Sequence, residues 1–512
     1  MRLHSAILAV ALALSPGLEG PVLAQESLDD IEGSPSKQAQ DQAPAGGKAA
    51  GDAPSAGDQP AGSGGARAEV NGYFDNRLEL RGISPSALVP TQDFPAISEI
   101  AEANLQLRVN LAGRDNFAYA DLSLLYQSGW LFYEDDGSGG RRQVANHDVP
   151  ALRPQVVPSE LYVSLTPEPW LNVLVGKKRI TWGSGVAFNP TDLINPPKDP
   201  TDPNFQRAGS WVVRVEAPLE KLTLTGLFAP QALSTQQGLP YAFLRYPTYA
   251  PADVRDNASH YLLALRLYAL LSDTDVNLVY YFSNLYQDAF RRKSRFGLSL
   301  SRIVFDDIEL HLEALLQQGS DRSFPNHGCL TGETAGETAC DTTSALTHSK
   351  LDASTFYPRL LLGTRRQFSD ESMLSVEYYF QADGYSDSEF QDRLQLSAYS
   401  KTSDASSSGA LPQRVLFDPL RRHYLIASYS KPRIYDDWTA SAVLIAGLRD
   451  LSGLFAPSIA WSPRDWLTLS LYGYIPIRGL GVNEAKVGNQ RYSEYSLTQY
   501  DYRVLFEARL FY

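Results

Sequence analysis

The chain is predicted to fold as an all-β, antiparallel, up-and-down barrel of about 18 strands that spans a membrane. Three observations predict it. Segments of the chain alternate apolar and polar residues with period two, their connections alternate between short and long, and the last segment ends on an aromatic residue with every second position apolar. Composition agrees: 28 Tyr against 2 Met and 2 Cys, and 11% aromatic residues in a chain of negative mean hydropathy, with no apolar run of about 18 residues beyond the N-terminus to make a helical span.

The chain opens with Arg2, an apolar stretch from Ala6 to Leu14, the helix-breaking Ser15-Pro16-Gly17 and a small-residue cleavage site at Val22-Leu23-Ala24. Residues 1–24 therefore read as a signal peptide, removed on export. Residues 25–67 consist almost wholly of Ala, Gly, Ser, Pro, Gln and Asp and cannot bury enough surface to fold, so they read as a disordered linker. The barrel is expected over residues 68–512.

Alternation is cleanest in Asn104-Leu-Gln-Leu-Arg-Val-Asn-Leu111, where one face is Leu, Leu, Val, Leu and the other Asn, Gln, Arg, Asn. In the segment before it, Phe74, Leu78 and Leu80 oppose Asp75, Arg77, Glu79 and Arg81. The same pattern recurs at Glu160 to Leu165, Val276 to Phe282, Ile308 to Gln317 and Leu374 to Gln381. Short turns are expected near Ala112–Asn116, Thr166–Pro169, Ala217–Glu220, Ser272–Thr274, Phe305–Asp307, Phe368–Asp370, Ile434–Asp437 and Ser462–Asp465. Mostly long polar stretches fall between them, including 183–208, 318–353, 383–420 and 476–498. Short and long connections in alternation are the rule of outer-membrane barrels, whose short turns face the periplasm. Eight turns and nine loops give 18 strands with both termini periplasmic; one hairpin fewer would give 16.

A sandwich core would reject the charges on the polar faces, whereas a watery lumen accepts them. The lumen residues singled out are Arg77, Arg81, Arg108, Asp121, Arg214, Glu309, His311 and Glu313. Both signs occur, so no strong ion selectivity is indicated, and the plainer reading of each is a solvated wall residue in a mutual ion-pair network. Trp170, Trp438, Trp466, Tyr126 and Phe282 fall at segment ends, where an interfacial girdle belongs. Counting back in twos from Tyr512 gives Leu510, Ala508, Phe506, Val504 and Tyr502, an apolar face that resembles the C-terminal signature read by the barrel-assembly machinery.

Residues 183–210 are the candidate for an inward-folded constriction, because rigid prolines such as Pro190, Pro196 and Pro200 accompany Phe188, Asp192, Lys198, Asp199, Asp202 and Arg207. An external loop packed over the rim is the alternative. On the approach to it, Leu171, Val173 and Val175 share a face that Lys177 and Arg179 would continue. A bulge near Gly176 is expected to swap the faces, returning Ile180 and Trp182 to lipid and pointing Lys178 outward toward lipid phosphates. Cys329 and Cys340 lie in an exported, oxidising context and are expected to close a local disulfide, stabilising the loop by roughly 3 kcal/mol. No fourth ligand accompanies them and His327, so no metal site is expected, and no cofactor.

The segment Trp182-Gly183-Ser-Gly185, followed by Asn189-Pro190-Thr191-Asp192-Leu-Ile-Asn195-Pro196, is similar to a strand-then-loop motif of poorly characterised porin-like families of Gram-negative outer membranes. The resemblance implies a barrel and a channel for small solutes, surrounded by outer-membrane lipid and lipopolysaccharide, and names no cargo. The alternatives are a closed structural or adhesive barrel acting through its long loops, and a route for hydrophobic compounds or saccharides. Catalysis is not expected: His311 between Glu309 and Glu313, and His348-Ser349, place no nucleophile, base and orienting group together. Nucleic-acid binding is disfavoured by a net charge of -13 without a basic stripe.

Overall fold

The computed structural model describes residues 68–83, 96–111, 115–130, 132–135, 141–144, 155–195, 209–230, 261–283, 293–305, 307–320, 322, 324–325, 346–347, 355–402, 419–498 and 500–512. The expected signal peptide, linker and Cys329–Cys340 pair lie outside the described residues, as do Lys198, Asp199, Asp202 and Arg207.

Eighteen strands pair antiparallel in one closed sheet. In chain order they are β1 (Ala68–Ile83), β2 (Ile97–Asn110), β3 (Phe117–Trp130), β4 (Gln155–Glu168), β5 (Leu171–Lys178), β6 (Ser210–Leu219), β7 (Leu222–Pro230), β8 (Tyr261–Leu271) and β9 (Thr274–Ser283). The second half comprises β10 (Lys293–Val304), β11 (Ile308–Gln318), β12 (Phe356–Gln367), β13 (Met373–Gln381), β14 (His423–Ile434), β15 (Trp438–Gly447), β16 (Ser452–Arg464), β17 (Leu467–Ile477) and β18 (Tyr500–Phe511). Each pairs with its neighbour in sequence, and β1 pairs with β18 to close the sheet and remove its edges. The six expected turns whose residues are all described join the expected strand pairs; Ser272-Asp273 is a two-residue turn with both φ positive (48 and 60), the form that matches strand twist.

The wall is apolar outside and polar inside, the inverse of a water-soluble fold. Leu78 (39% exposed), Leu265 (51%) and Phe296 (50%) are outward, whereas Asp75, Glu313 and Glu377 are inward and at most 1% exposed. At the turn end, Trp170, Trp466 and Tyr512 are exposed, and the Trp438 and Trp461 rings stack at 5.6 Å.

Two local expectations are corrected. The pairing of β5 runs through Gly176 without a bulge; β4 instead carries two register shifts, one across Asp121 and Leu122 and one between Leu165 and Glu168 beside the turn. Ile180 and Trp182 therefore stay inside, buried at 3% and 5%. Lys178 lies over the ring of buried Tyr162 at 4.8 Å instead of pointing out, and Lys177, opposite Leu161, turns its Nζ to the Pro158 carbonyl at 2.6 Å. The stretch 383–420 also holds a helix, α1 (Asp387–Thr402). It starts on a reciprocal capping box: the Glu389 N–H donates to Ser386 Oγ at 3.3 Å, and the Ser386 N–H donates to Glu389 Oε2 at 2.8 Å.

The barrel seam carries its own lock. The Tyr512 N–H donates to the Gly72 carbonyl (3.1 Å) and the Tyr512 hydroxyl reaches across to the Asn104 carbonyl on β2 (2.7 Å). A Cβ at Gly72 would sit 2.4 Å from Tyr512 Oη and from that same carbonyl. Gly72→Val is therefore expected to destabilise the closed barrel by about 1–3 kcal/mol, read as a lower urea midpoint and a weaker heat-modifiable band in detergent gels.

Candidate constriction and lumen

After Lys178 the chain leaves the wall and crosses the lumen. Asn195 ties the base of the crossing: its Oδ1 accepts the Ile180 N–H at 3.1 Å, its Nδ2 donates to the Ile180 carbonyl, and Ser210 Oγ donates to the Ile194 carbonyl at 2.8 Å. On one side, Ile180, Trp182 and Ile194 pack with Leu174, Val212, Leu227, Val279 and Tyr281 of the β5–β9 wall. On the other, Phe188 packs against Tyr379 of β13 (ring centroids 5.0 Å) and Tyr424 of β14 (6.1 Å). The segment 180–195 thus bridges two well-separated parts of the wall. Its tip is a turn, Asn189-Pro190-Thr191-Asp192, closed by the Asp192 N–H to the Asn189 carbonyl at 3.1 Å with Pro at the favoured second place.

Glu313 of β11 holds the crossing. Oε1 accepts the Ser184 N–H (2.5 Å) and the Gly185 N–H (2.9 Å), while Oε2 accepts the Thr191 N–H (3.2 Å) and hydroxyl (2.6 Å). Glu377 of β13 accepts the Val186 N–H at 2.8 Å and is held in turn by His311 Nε2 at 3.1 Å. That contact depends on Gly363 of the intervening strand, where a Cβ would lie 2.0 Å from Nε2. Tyr281 donates its hydroxyl to the Thr191 carbonyl at 2.6 Å, and Arg365, paired with Glu309 at 3.1 Å, reaches the Ser184 carbonyl at 3.5 Å. Phe188 and Asp192 are both 8% exposed within this unit.

Apart from Arg214, the remaining lumen residues lie at or beside the seam, on β1, β2 and β3. Arg77 pairs with Asp75 (2.7 Å) and Glu507 (3.1 Å), Arg509 with Asp75 (3.2 Å) and Glu507 (3.0 Å), and Arg81 with Glu79 (2.6 Å), which also meets Arg503 (2.5 Å). Asp121 accepts from Asn104 Nδ2 at 2.5 Å, and Arg108 lies 4.4 Å over the Phe117 ring. Arg214 sits inward between Leu174 and Leu227 and is 5% exposed. The seam charges satisfy one another across β18, β1 and β2. Residues that the sequence pattern did not single out are Arg365 and Arg266, the latter 5.7 Å over the Trp182 ring.

At the long-loop end, α1 and the segment 485–498 fold onto the inner wall of β12–β18. Phe390, Leu394, Tyr492, Tyr495 and Leu497 share one buried cluster with Tyr424, Ile426, Ile445, Leu454 and Tyr472. Within it Glu494 is wholly buried, accepting the Tyr424 hydroxyl (2.8 and 2.7 Å) and the Leu420 N–H (2.6 Å), while its own N–H donates to Asp450 (2.6 Å). Arg421, also buried, lies over the Phe390 ring at 4.5 Å and pairs with Asp387 at 2.7 Å.

No family model matches the chain, and no curated protein matches it significantly. Among solved structures it is similar to OccK11 (OpdR) of Pseudomonas aeruginosa, with 9% identity over 87% of this chain and 96% of that one and a TM-score of 0.46. OccAB3 of Acinetobacter baumannii is 9% identical over 87% and 99%, with a TM-score of 0.44. OmpF of Salmonella typhi, in complex with daunomycin, is 8% identical over 87% and 97%, with a TM-score of 0.41.

Burial, and then the Asp450 carboxylate, push Glu494 from its ordinary 4.5 up to about 8. With the folded pKa above the unfolded one, the contribution of this group to loop docking is full below the ordinary carboxylate value and is lost as pH climbs to about 8. Protease cleavage within 478–498 is therefore expected to rise between about pH 5 and pH 8 in the wild type and to level off above it. Glu494→Gln should flatten that rise; an unchanged profile would count against the assignment.

Proposed function

We propose that the chain is a channel of the Gram-negative outer membrane, passing small solutes through a lumen narrowed by the segment 180–195. The observation that carries this reading is the crossing itself: a segment tied at its base, clamped by two wall carboxylates, and set inside a barrel whose exterior is apolar. A belt of exposed Leu, Val and Phe calls for lipid around it, and an 18-strand barrel is wide enough for an aqueous path beside the crossing. In this reading residues 1–24 direct export, residues 25–67 form a periplasmic linker, and the short turns and both termini face the periplasm. Outer-membrane lipid and lipopolysaccharide surround the wall. The Tyr502, Val504, Phe506, Leu510 and Tyr512 face serves the assembly machinery before it meets lipid, and the chain carries out no catalysis.

One observation favours a second reading, a closed barrel acting through its loops. The aromatic cluster of α1 and residues 485–498 fills the inner side of β12–β18 at the long-loop end.

Planar-bilayer recording separates the two. The channel reading expects stepwise conductance from the refolded protein, and an electrically silent barrel would sink it. Removing the clamp with Glu313→Ala leaves three backbone N–H groups and a hydroxyl without their acceptor, so the crossing should loosen and single-channel conductance should rise by about twofold. Unchanged conductance in a correctly heat-modifiable variant would show that 180–195 does not set the narrowest point.

A further inference from the structure

Charge is unevenly distributed around the lumen. Inward positions of β1–β3, β6, β8, β10–β13 and β18 carry Asp, Glu or Arg, but Tyr424 to Ser430, Thr439 to Gly447, Leu454 to Ser462 and Thr468 to Tyr474 carry none. On these four strands, β14–β17, the inward residues below the aromatic cluster are small. They form two rows by cross-strand register. Ser428 faces Val443, which faces Ala456; Ser430 faces Ser441, which faces Ser458, which faces Tyr472. Ser441 and Ser458 are hydrogen-bonded at 2.6 Å.

Below the packed layer of Ile426, Ile445 and Leu454, these serines are half-buried, and Val443 and Ala456 are half-buried against its lower edge. The patch is a shallow alcove in the wall, bordered by Glu377 on β13 and by Glu507 on β18, the latter accepting the Tyr472 hydroxyl at 3.0 Å. A second observation points to a ligand here. Ser375, 2% exposed, holds the inward place opposite Ser428, and its hydroxyl has no hydrogen-bond partner among the described residues.

We infer that this alcove binds an uncharged polyhydroxylated solute of monosaccharide size as it crosses the lumen. The inference rests on the channel reading and names its substrate class. Serine hydroxyls both donate and accept, so they exchange hydrogen bonds one for one with the hydroxyls of a sugar or polyol. The half-buried Val443 and Ala456 side chains offer apolar surface to its C–H face. An anion or cation in the same place would shed hydration without meeting an opposite charge on these four strands. The seam charges do not compete for a neutral solute, because they are engaged with each other.

The test uses the refolded full barrel in liposomes and compares osmotic swelling in glucose, glucuronate and glucosamine, three solutes of one ring size and different charge. Glucose is expected to enter faster than either charged analogue by about threefold or more. Ser441→Asp should abolish the advantage over glucosamine, and Ser458→Val, which removes a hydroxyl without adding charge, should slow glucose alone; heat-modifiable mobility checks that both variants fold. Vesicles that conduct ions yet admit the three solutes equally, or admit a charged one faster, overturn the sugar assignment and leave the channel standing. Vesicles that neither conduct nor swell overturn both.

Discussion

A fully buried carboxylate on one strand organises the interior of this barrel. Glu313 gathers the backbone N–H groups of Ser184, Gly185 and Thr191 and the Thr191 hydroxyl around its two oxygens, so the crossing segment is fixed by one side chain at two points, Ser184-Gly185 and Thr191. A carboxylate so solvated by N–H donors exchanges its water shell for protein dipoles, which lets a charge sit inside the wall. Everything nearer the lumen axis follows from that anchor: the Asn189–Asp192 turn, the seating of Phe188 against Tyr379 and Tyr424, and the division of the interior into a packed side and a charged side.

The supporting layer is equally specific. His311 and Glu377 stand two strands apart and meet only because Gly363 between them has no side chain. The seam is built on different terms, with Asp75, Arg77, Glu507 and Arg509 forming a closed ion-pair set in which each member meets more than one partner. Such a set gains less from Coulomb attraction than from keeping every buried charge matched, since breaking one pair strands the rest. The barrel therefore uses hydrogen bonds to a carboxylate to place a segment, and ion pairs to close its circumference.

The barrel was legible because its signals are local. Turn residues such as Ser272-Asp273 and the alternation around Asn104–Leu111 each report on their own neighbours, and strands paired in sequence order need no further information. The crossing was legible as a candidate, through its prolines and glycines, but its seat was not, because Glu313 and Glu377 lie 122 and 191 residues from the groups they hold. Lys178 was misjudged because the bulge that matters lies on β4, where Pro158 and Glu160 flank the extra residue. Helix α1 was hidden by polar composition, although Ser386 and Glu389 carry a capping box and Phe390 and Leu394 share a face.

The tie at Asn195 closes early in the chain, but the seat it serves comes from strands made much later. The base is tied by contacts 15 and 16 residues apart, whereas the crossing has nothing to dock on until β11 and β13 stand in the wall. Its contacts are among the most non-local in the fold, and contacts of that kind form late because loop closure must precede them. An assembling barrel would therefore pass through a wide, unobstructed stage, and the narrowing of its lumen would mark the seating of residues 180–195 on Glu313 and Glu377.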